Sequence, residues 1–290
     1  AVVLKNKYGF GAIRNRFLFL TGKFGTINGM ITSAQNPKIQ QVRALLARRA
    51  EREQQGAFVV EGVRLFEEAC LSHWPMQQVF YAQGLSPRGQ QLLAQVRDRG
   101  VLVEEVAPDL LARLSDTEHS PGILAVMAQQ ALPWPTTPNF LLVADGLRDP
   151  GNLGTLLRSA AAAGVQGVLL APGTTDAFAP KVLRAGMGAH FRLPIRLCSW
   201  PEVQALCHPP VGPQLTIYLA DAERGQSCWK ADLRIPLALV VGAEAEGVSA
   251  AALACADAFL SIPMPGQAES LNAAVAAGIL LFEVVRQRVP

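Results

Sequence analysis

Five runs of four or five almost uninterrupted apolar residues, at 140–144, 167–171, 217–220, 237–241 and 259–262, alternate with segments of helical pattern at 154–163, 179–187, 201–206, 250–255 and 270–287. A strand with one face in water alternates apolar and polar side chains, so runs without alternation belong to strands covered on both faces. The helices between them supply the cover. The second half of the chain is therefore expected to be an α/β fold built on a mostly parallel sheet. In such sheets ligands gather beyond the carboxyl ends of the strands. The informative residues should lie in the loops that follow the strands.

The first half alternates shorter elements, with strands expected at 57–60, 78–81, 101–106 and 123–127 and helices at 62–70, 87–99 and 108–114, which makes a small α/β sandwich. Ahead of these, Ile39, Val42, Leu45 and Leu46 recur at helical spacing, while Lys38, Arg43, Arg48, Arg49 and Arg52 occupy other turns of the run. The expectation is one basic amphipathic helix. Pro133, Pro135 and Pro138 prevent a helix over 131–139, so this stretch is placed as a linker between a domain of residues 30–130 and one of residues 140–290.

Residues 1–29 hold Lys5, Lys7, Arg14, Arg16 and Lys23 and no acid. An extension foreign to the fold, a disordered basic arm and a targeting peptide all suit that composition; the segment is read as an unstructured leader. Without it the chain carries 21 basic against 23 acidic residues, so the net charge of +3 does not itself argue for a nucleic-acid partner. Cys70, Cys198, Cys207, Cys228 and Cys255 lie far apart without a C-x-x-C pair. They suggest no disulfide framework and no thiolate metal site, and they fit a reducing cytoplasm. The most apolar stretch, 272–285, includes a glutamate and is too short to cross roughly 30 Å of hydrocarbon as a helix, so no membrane span is expected.

Three loops stand out. The first runs from Asp145 to Gly154, with Gly146, Pro150, Gly151 and Gly154 allowing tight turns around Asn152. A helix starting at Gly154 would put Arg158 about one turn in. The second, 242–249, sets Glu244 and Glu246 between Gly242 and Gly247 and offers Ser249 as a helix N-cap. The third, 262–272, is stiffened by Pro263, Pro265 and Gly266 and delivers Ser270 and Asn272 to a helix whose first turns are nearly all small. G-x-G-x-x-G and G-x-x-x-x-G-K-[ST] are both absent, which counts against dinucleotide and NTP chemistry. The paired glutamates have no neighbouring His or further Asp in sequence to suggest a metal.

Jointly these loops resemble the three motifs of the SpoU family of RNA ribose 2′-O-methyltransferases in the SPOUT superfamily. The resemblance rests on Asn152-Leu-Gly-Thr-Leu-Leu-Arg158 with Ala160 and Gly164, on Gly242-Ala-Glu244 with Gly247, and on Ile262-Pro-Met with Gly266 and Ser270-Leu-Asn272. Less specifically, Asn36-Pro37-Lys38, Glu61-Gly62 and Pro121-Gly122-Ile123 make the first domain similar to the ribosomal-protein-like RNA-binding domain that often precedes this catalytic domain. The resemblance implies a trefoil-knotted domain, S-adenosylmethionine bound bent in the knot, and a homodimer whose active site draws on both chains; from the residues themselves, no metal is expected. Gly242, Ile262, Leu271 and Ala220 would frame the cofactor. Asn152, Arg158, Glu244, Ser270 and Asn272 would form the catalytic surface. Ala273-Ala274 depart from the family pattern, which often has a valine and a small hydroxyl residue there.

The family pattern gives Arg158 the activating role. A guanidinium holds its proton too firmly to be an easy base, so stabilising the developing alkoxide or the adjacent phosphate is the preferred assignment. Lys38, Arg43, Arg48, Arg49, Arg52 and Arg64 are the candidate RNA contacts, with solvated surface charge as the competing reading. The expected substrate is ribosomal RNA, of the large subunit, ahead of transfer RNA. A non-catalytic RNA-binding module and an ordinary doubly wound oxidoreductase are the rival classes.

Overall fold

The computed structural model describes residues 26–27, 29–115, 122–243, 247–266 and 269–289. In the first half, α1 (Pro37–Ala47), α2 (Arg49–Gln55), β1 (Ala57–Glu61), α3 (Val63–Ser72), β2 (Met76–Tyr81), α4 (Pro87–Asp98), β3 (Leu102–Glu105), α5 (Pro108–Ala112) and β4 (Ile123–Ala128) follow one another. Their sheet has the order β1-β4-β2-β3, antiparallel except between β2 and β3.

The expected single basic helix is two. Arg48 is extended at φ −124°, and Arg52 folds back to donate to the carbonyls of Leu45 at 2.6 Å and Leu46 at 3.3 Å. Carbonyls at a helix end lack intrahelical partners, so this guanidinium caps α1 from the next helix. Ile39, Val42 and Leu45 are buried as their spacing predicts.

The boundary of the leader also shifts. Its structure before Thr26 lies outside the described residues, but Thr26–Ile27 pairs antiparallel with Met30–Ile31. Ile31 is 1% exposed and accepts from Ala107 N, so residue 31 is core.

In the second half the elements are β5 (Phe140–Asp145), α6 (Pro150–Ala162), β6 (Gly167–Leu170), α7 (Pro180–Gly186), β7 (Ile195–Leu197), α8 (Trp200–Cys207), β8 (Thr216–Ala220), β9 (Gln226–Ser227), β10 (Leu237–Gly242), α9 (Ala250–Cys255), β11 (Ala258–Ser261) and α10 (Ala273–Arg288). The sheet order is β9-β11-β8-β10-β5-β6-β7, and every neighbouring pair is parallel. One face packs against α6 and α10 through residues such as Leu142, Leu156 and Leu281; the other packs against α8 and α9 through Leu141, Trp200 and Ala252. No described helix is long and apolar enough to cross a membrane.

The proline-rich stretch is held down rather than free. Trp134 packs so closely on β6 that a Cβ at Gly167 would lie 2.5 Å from its ring, and the Arg196 guanidinium stacks 4.4 Å from the ring centre. The two halves share a core: Phe58 and Trp74 of the first touch Phe178 and Phe191 of the second at ring distances of 5.0–6.2 Å, and Leu183 joins them. Ion pairs rim the contact, from Arg52 to Asp176 at 2.6 Å, Arg192 to Glu68 at 2.7 Å, and Arg184 to Glu61.

Candidate active site

The carboxyl ends of β11, β8, β10 and β5 lie side by side, because Ala220 pairs in register with Leu260, Leu219 with Val240 and Gly242 with Asp145. All three loops singled out in the sequence therefore leave the same edge of the sheet.

The loop after β5 turns at Gly146, which has φ +68°, a conformation open to glycine at little cost. Thr174 braces it, accepting from Gly146 N at 3.1 Å and donating to Ala144 O at 3.0 Å. Asp149 then caps α6 by accepting from Asn152 N at 2.8 Å. The helix thus starts at Pro150 instead of Gly154, and Arg158 sits more than two turns in. Proline without an N–H suits the first helical position, and that signal marks the true start.

Asn272 does two things with one amide. Its Oδ1 accepts from Ala274 N at 3.1 Å and Val275 N at 3.2 Å, capping α10, while its Nδ2 donates to Asn152 Oδ1 at 2.9 Å. The first and third loops are joined by that bond across 120 residues of chain. Ser270 is exposed beside it and Leu271 is half-buried.

The second loop is tied down by a residue whose role spacing did not reveal. Asp145 is 2% exposed, and its carboxylate accepts from Ser249 N at 2.6 Å, Ser249 Oγ at 3.1 Å and Trp200 Nε1 at 3.2 Å. Ser249 in turn caps α9, as the sequence suggests, by accepting from Ala252 N. Gly242 sits tightly beneath this loop, where a Cβ would lie 2.6 Å from Val248 Cγ1 and 2.7 Å from Gly247 O. Glu244 lies outside the described residues.

Arg158 is exposed on α6 and forms no hydrogen bond or ion pair among the described residues. The structure brings Asn152 and Asn272 together but leaves Arg158 on an outward stripe with Thr155. No described group of three or more His, Cys, Asp and Glu side chains could hold a metal. Burial pushes the thiols of Cys70 and Cys198 up to about 11 and that of Cys207 up to about 12, so these three are packing residues and not nucleophiles.

The RNA candidates divide. Arg52 is corrected outright: its side chain is 7% exposed and bound to Asp176, and a buried guanidinium so engaged has nothing left for a phosphate. Lys38 is held by Glu104 at 2.7 Å, Arg48 lies near Glu51 at 3.3 Å and Arg49 near Glu53 at 2.7 Å, all on the surface. Arg43 and Arg64 are exposed and carry no ion pair among the described residues.

Residues 139–282 match the SpoU rRNA Methylase family, and residues 36–125 match the MRM3-like substrate binding domain. The chain is 34% identical over 257 residues to the 23S rRNA (guanosine(2553)-2′-O)-methyltransferase RlmP of Bacillus subtilis, with 88% of this chain and 98% of that protein covered. It is 35% identical over 267 residues to the 23S rRNA (uridine(2479)-2′-O)-methyltransferase of Streptomyces viridochromogenes, covering 89% and 92%. The crystal structure of the SpoU methyltransferase AviRb from Streptomyces viridochromogenes, in complex with the cofactor AdoMet, superposes with a TM-score of 0.78 at 34% identity, covering 88% of this chain and 99% of that one. With its loops gathered at one sheet edge and likeness along most of its length, the chain belongs to the SpoU rRNA methylase family.

Proposed function

We propose that this protein is an S-adenosylmethionine-dependent RNA methyltransferase that methylates a ribose 2′-hydroxyl in ribosomal RNA of the large subunit. The observation that carries the reading is the Asn152–Asn272 bond, which fixes two motif loops at the carboxyl edge of the parallel sheet. The 23S rRNA specificity of the relatives favours ribosomal over transfer RNA.

The residues present fit the cofactor. Ala220 and Gly242 end two adjacent strands, Ile262 directly follows the last residue of the third, and their small or aliphatic side chains leave backbone amides and carbonyls as the polar lining, with Leu271 on the loop that leads from β11 to α10. Such groups suit an adenine edge and a zwitterionic tail. The bound cofactor supplies an electrophilic methyl group. The protein's task is to hold a ribose hydroxyl in line with it, keep water out and stabilise charge as the hydroxyl loses its proton. Asn152 and Asn272 hold the loops and the ribose, Ser270 and Glu244 complete the surface, and Arg158 stabilises the alkoxide or its phosphate.

Arg158 reaches a site in this reading when two chains associate, each lending its guanidinium to the other. Supporting this, α10 exposes Val275 (51%) and Phe282 (48%), seven residues apart and so on one face. A homodimer covers them. The division into an RNA-binding domain of residues 30–130, a linker of residues 131–139 and a catalytic domain of residues 140–290 belongs to the same proposal. So does the trefoil knot, supported by the insertion of β10 between β5 and β8. Lys38, Arg43, Arg48, Arg49 and Arg64 are its RNA contacts. Five free cysteines support a reducing compartment, the cytoplasm.

The test is methyl transfer from isotope-labelled S-adenosylmethionine to unmodified ribosomal and transfer RNA in parallel, with Arg158→Ala as control and mapping of the labelled position. Label at a 2′-oxygen of ribosomal RNA, lost in the variant, is expected. Label on transfer RNA alone would reverse the substrate, and no saturable cofactor binding by calorimetry would leave an RNA-binding module.

A further inference from the structure

Helix α7 touches both halves of the molecule. At its amino end, the Lys181 ammonium lies 3.7 Å from Asp149, the residue that caps α6 and holds Asn152 N. Its Cε would be 3.9 Å from a Cβ at Gly151, so the lysine stands over bare backbone in the turn that presents Asn152. At its other end, Arg184 pairs with the buried Glu61, the last residue of β1. Gly62 and Val63 follow directly, and Arg64 is exposed in the first turn of α3. Lys181 and Arg184 are three residues apart, so they share one face of α7.

That face is held in place. Gly154 of α6 meets α7 so closely that a Cβ would lie 2.5 Å from both Ala185 Cβ and Val182 O. Phe178 and Phe191, on either side of α7, lock into the aromatic contact with Phe58. A cation on α7 therefore has a fixed position relative to both the Asn152 turn and the first half of the chain. The Lys181–Asp149 pair is long, with side chains 61% and 50% exposed, and a pair of that kind contributes little to stability. The ammonium remains available to an anion arriving from solvent.

We propose that Lys181 is a positioning residue for RNA: it binds a backbone phosphate beside the nucleotide to be methylated, on a strand that runs over the α7 face from Arg64 past Arg184. The inference rests on the methyltransferase reading for its consequence in catalysis, but its binding consequence stands apart from it. A lysine serves phosphate as a point charge, without the directional fork of arginine, so Arg at this position keeps the function and Ala removes it.

The experiment compares wild type, Lys181→Ala, Lys181→Arg and Arg234→Ala, the last an exposed cation paired with Asp232 in the segment between β9 and β10. RNA affinity is measured against salt with unmodified ribosomal RNA, S-adenosylmethionine affinity by calorimetry, and transfer by steady-state kinetics. For Lys181→Ala the expected result is an RNA KM raised about fivefold or more. The salt slope should shrink by about 0.7, the value for one single-strand phosphate, with kcat and cofactor affinity unchanged. Lys181→Arg and Arg234→Ala should behave as wild type. An unchanged salt slope in Lys181→Ala, or a fall in kcat at constant KM, overturns the proposal. Wild type that binds RNA with the predicted slope difference but transfers no methyl group overturns the enzymatic reading and leaves the phosphate site standing.

Discussion

Asn272 shows how much one side chain can decide. Its carbonyl caps α10 and its amide nitrogen clamps Asn152, and the two jobs can be separated. Serine is about as good an N-cap as asparagine but is too short to reach Asn152, whereas alanine does neither. Asn272→Ser should keep thermal stability within a few tenths of a kcal/mol of wild type and lose most methyl transfer, while Asn272→Ala loses transfer and about 1 kcal/mol as well. Equal unfolding midpoints for the two variants would show that the cap is not the stabilising part. The helix was legible but the cap was not: the sequence reading starts it at Ser270, whereas it begins at Ala273 with Asn272 as the cap. Asp145 was not legible either, because its partners lie 55 and 104 residues away and an aspartate after a strand reads locally as a turn residue. His190 is another residue only packing reveals. It is buried, Nε2 donates to Ala177 O at 2.7 Å, and Nδ1 has no partner among the described residues. Burial holds its imidazolium pKa down at about 4, against the opposing pull of Ala177 and Asp176. Between pH 6.5 and about 4 the unfolded chain therefore binds a proton that the folded one refuses, and stability falls as pH falls through that window. The loss is of the order of 3 kcal/mol. His190→Gln, with nothing to titrate there, should show a flatter decline in denaturant midpoint over the same range; identical slopes would count against the assignment.

Elements with long apolar runs were legible almost to their ends, as β5, β10 and α9 show. Those defined by contact were not. Strand β7 is short and exposes Leu197, so its sequence carries no pattern of burial, yet it pairs with β6 at the sheet edge. The break between α1 and α2 follows from where Arg52 reaches, which no helical periodicity encodes. Gly154 makes the same point with opposite signs. Within a helix, alanine in place of glycine gains about 1 kcal/mol from propensity alone. Here the added Cβ would lie 2.5 Å from the Ala185 Cβ and the Val182 carbonyl, and both belong to a helix pinned by the shared core. Forcing packed helices apart costs ~1–3 kcal/mol, so contact outweighs propensity. Gly154→Ala should lower the denaturant midpoint without changing the slope of the transition and should weaken RNA binding, because α7 moves. A raised midpoint would mean that α7 yields easily and that the close approach is not a constraint.

At the scale of the molecule, the sequence points to two domains joined by a proline-rich linker, with a basic helix as candidate RNA contact, whereas the structure joins the halves through a common core. Composition could not distinguish the two, because Phe58, Trp74, Phe178 and Phe191 each look like ordinary core residues of their own half. The basic run points Arg52 to RNA, yet in the structure it is a buried polar link between the halves. It bonds Asp176 through Nε at 2.7 Å and Nη2 at 2.6 Å, and Asp176 Oδ1 accepts from Phe178 N, next to the aromatic contact. Two residues before Asp176, Thr174 braces the loop that leads to Asn152. Removing one member of a buried ion pair strands the other, at a cost of about 3–5 kcal/mol. The shared core should give the wild type a single unfolding transition, and Arg52→Ala should lower its midpoint strongly and separate it into two, one for each half. An RNA contact predicts something different: a smaller salt slope of RNA affinity with stability unaltered. Measured at a temperature where the variant remains folded, the slope should equal that of wild type. A reduced slope at full stability would return Arg52 to the RNA surface and make the pairing with Asp176 incidental.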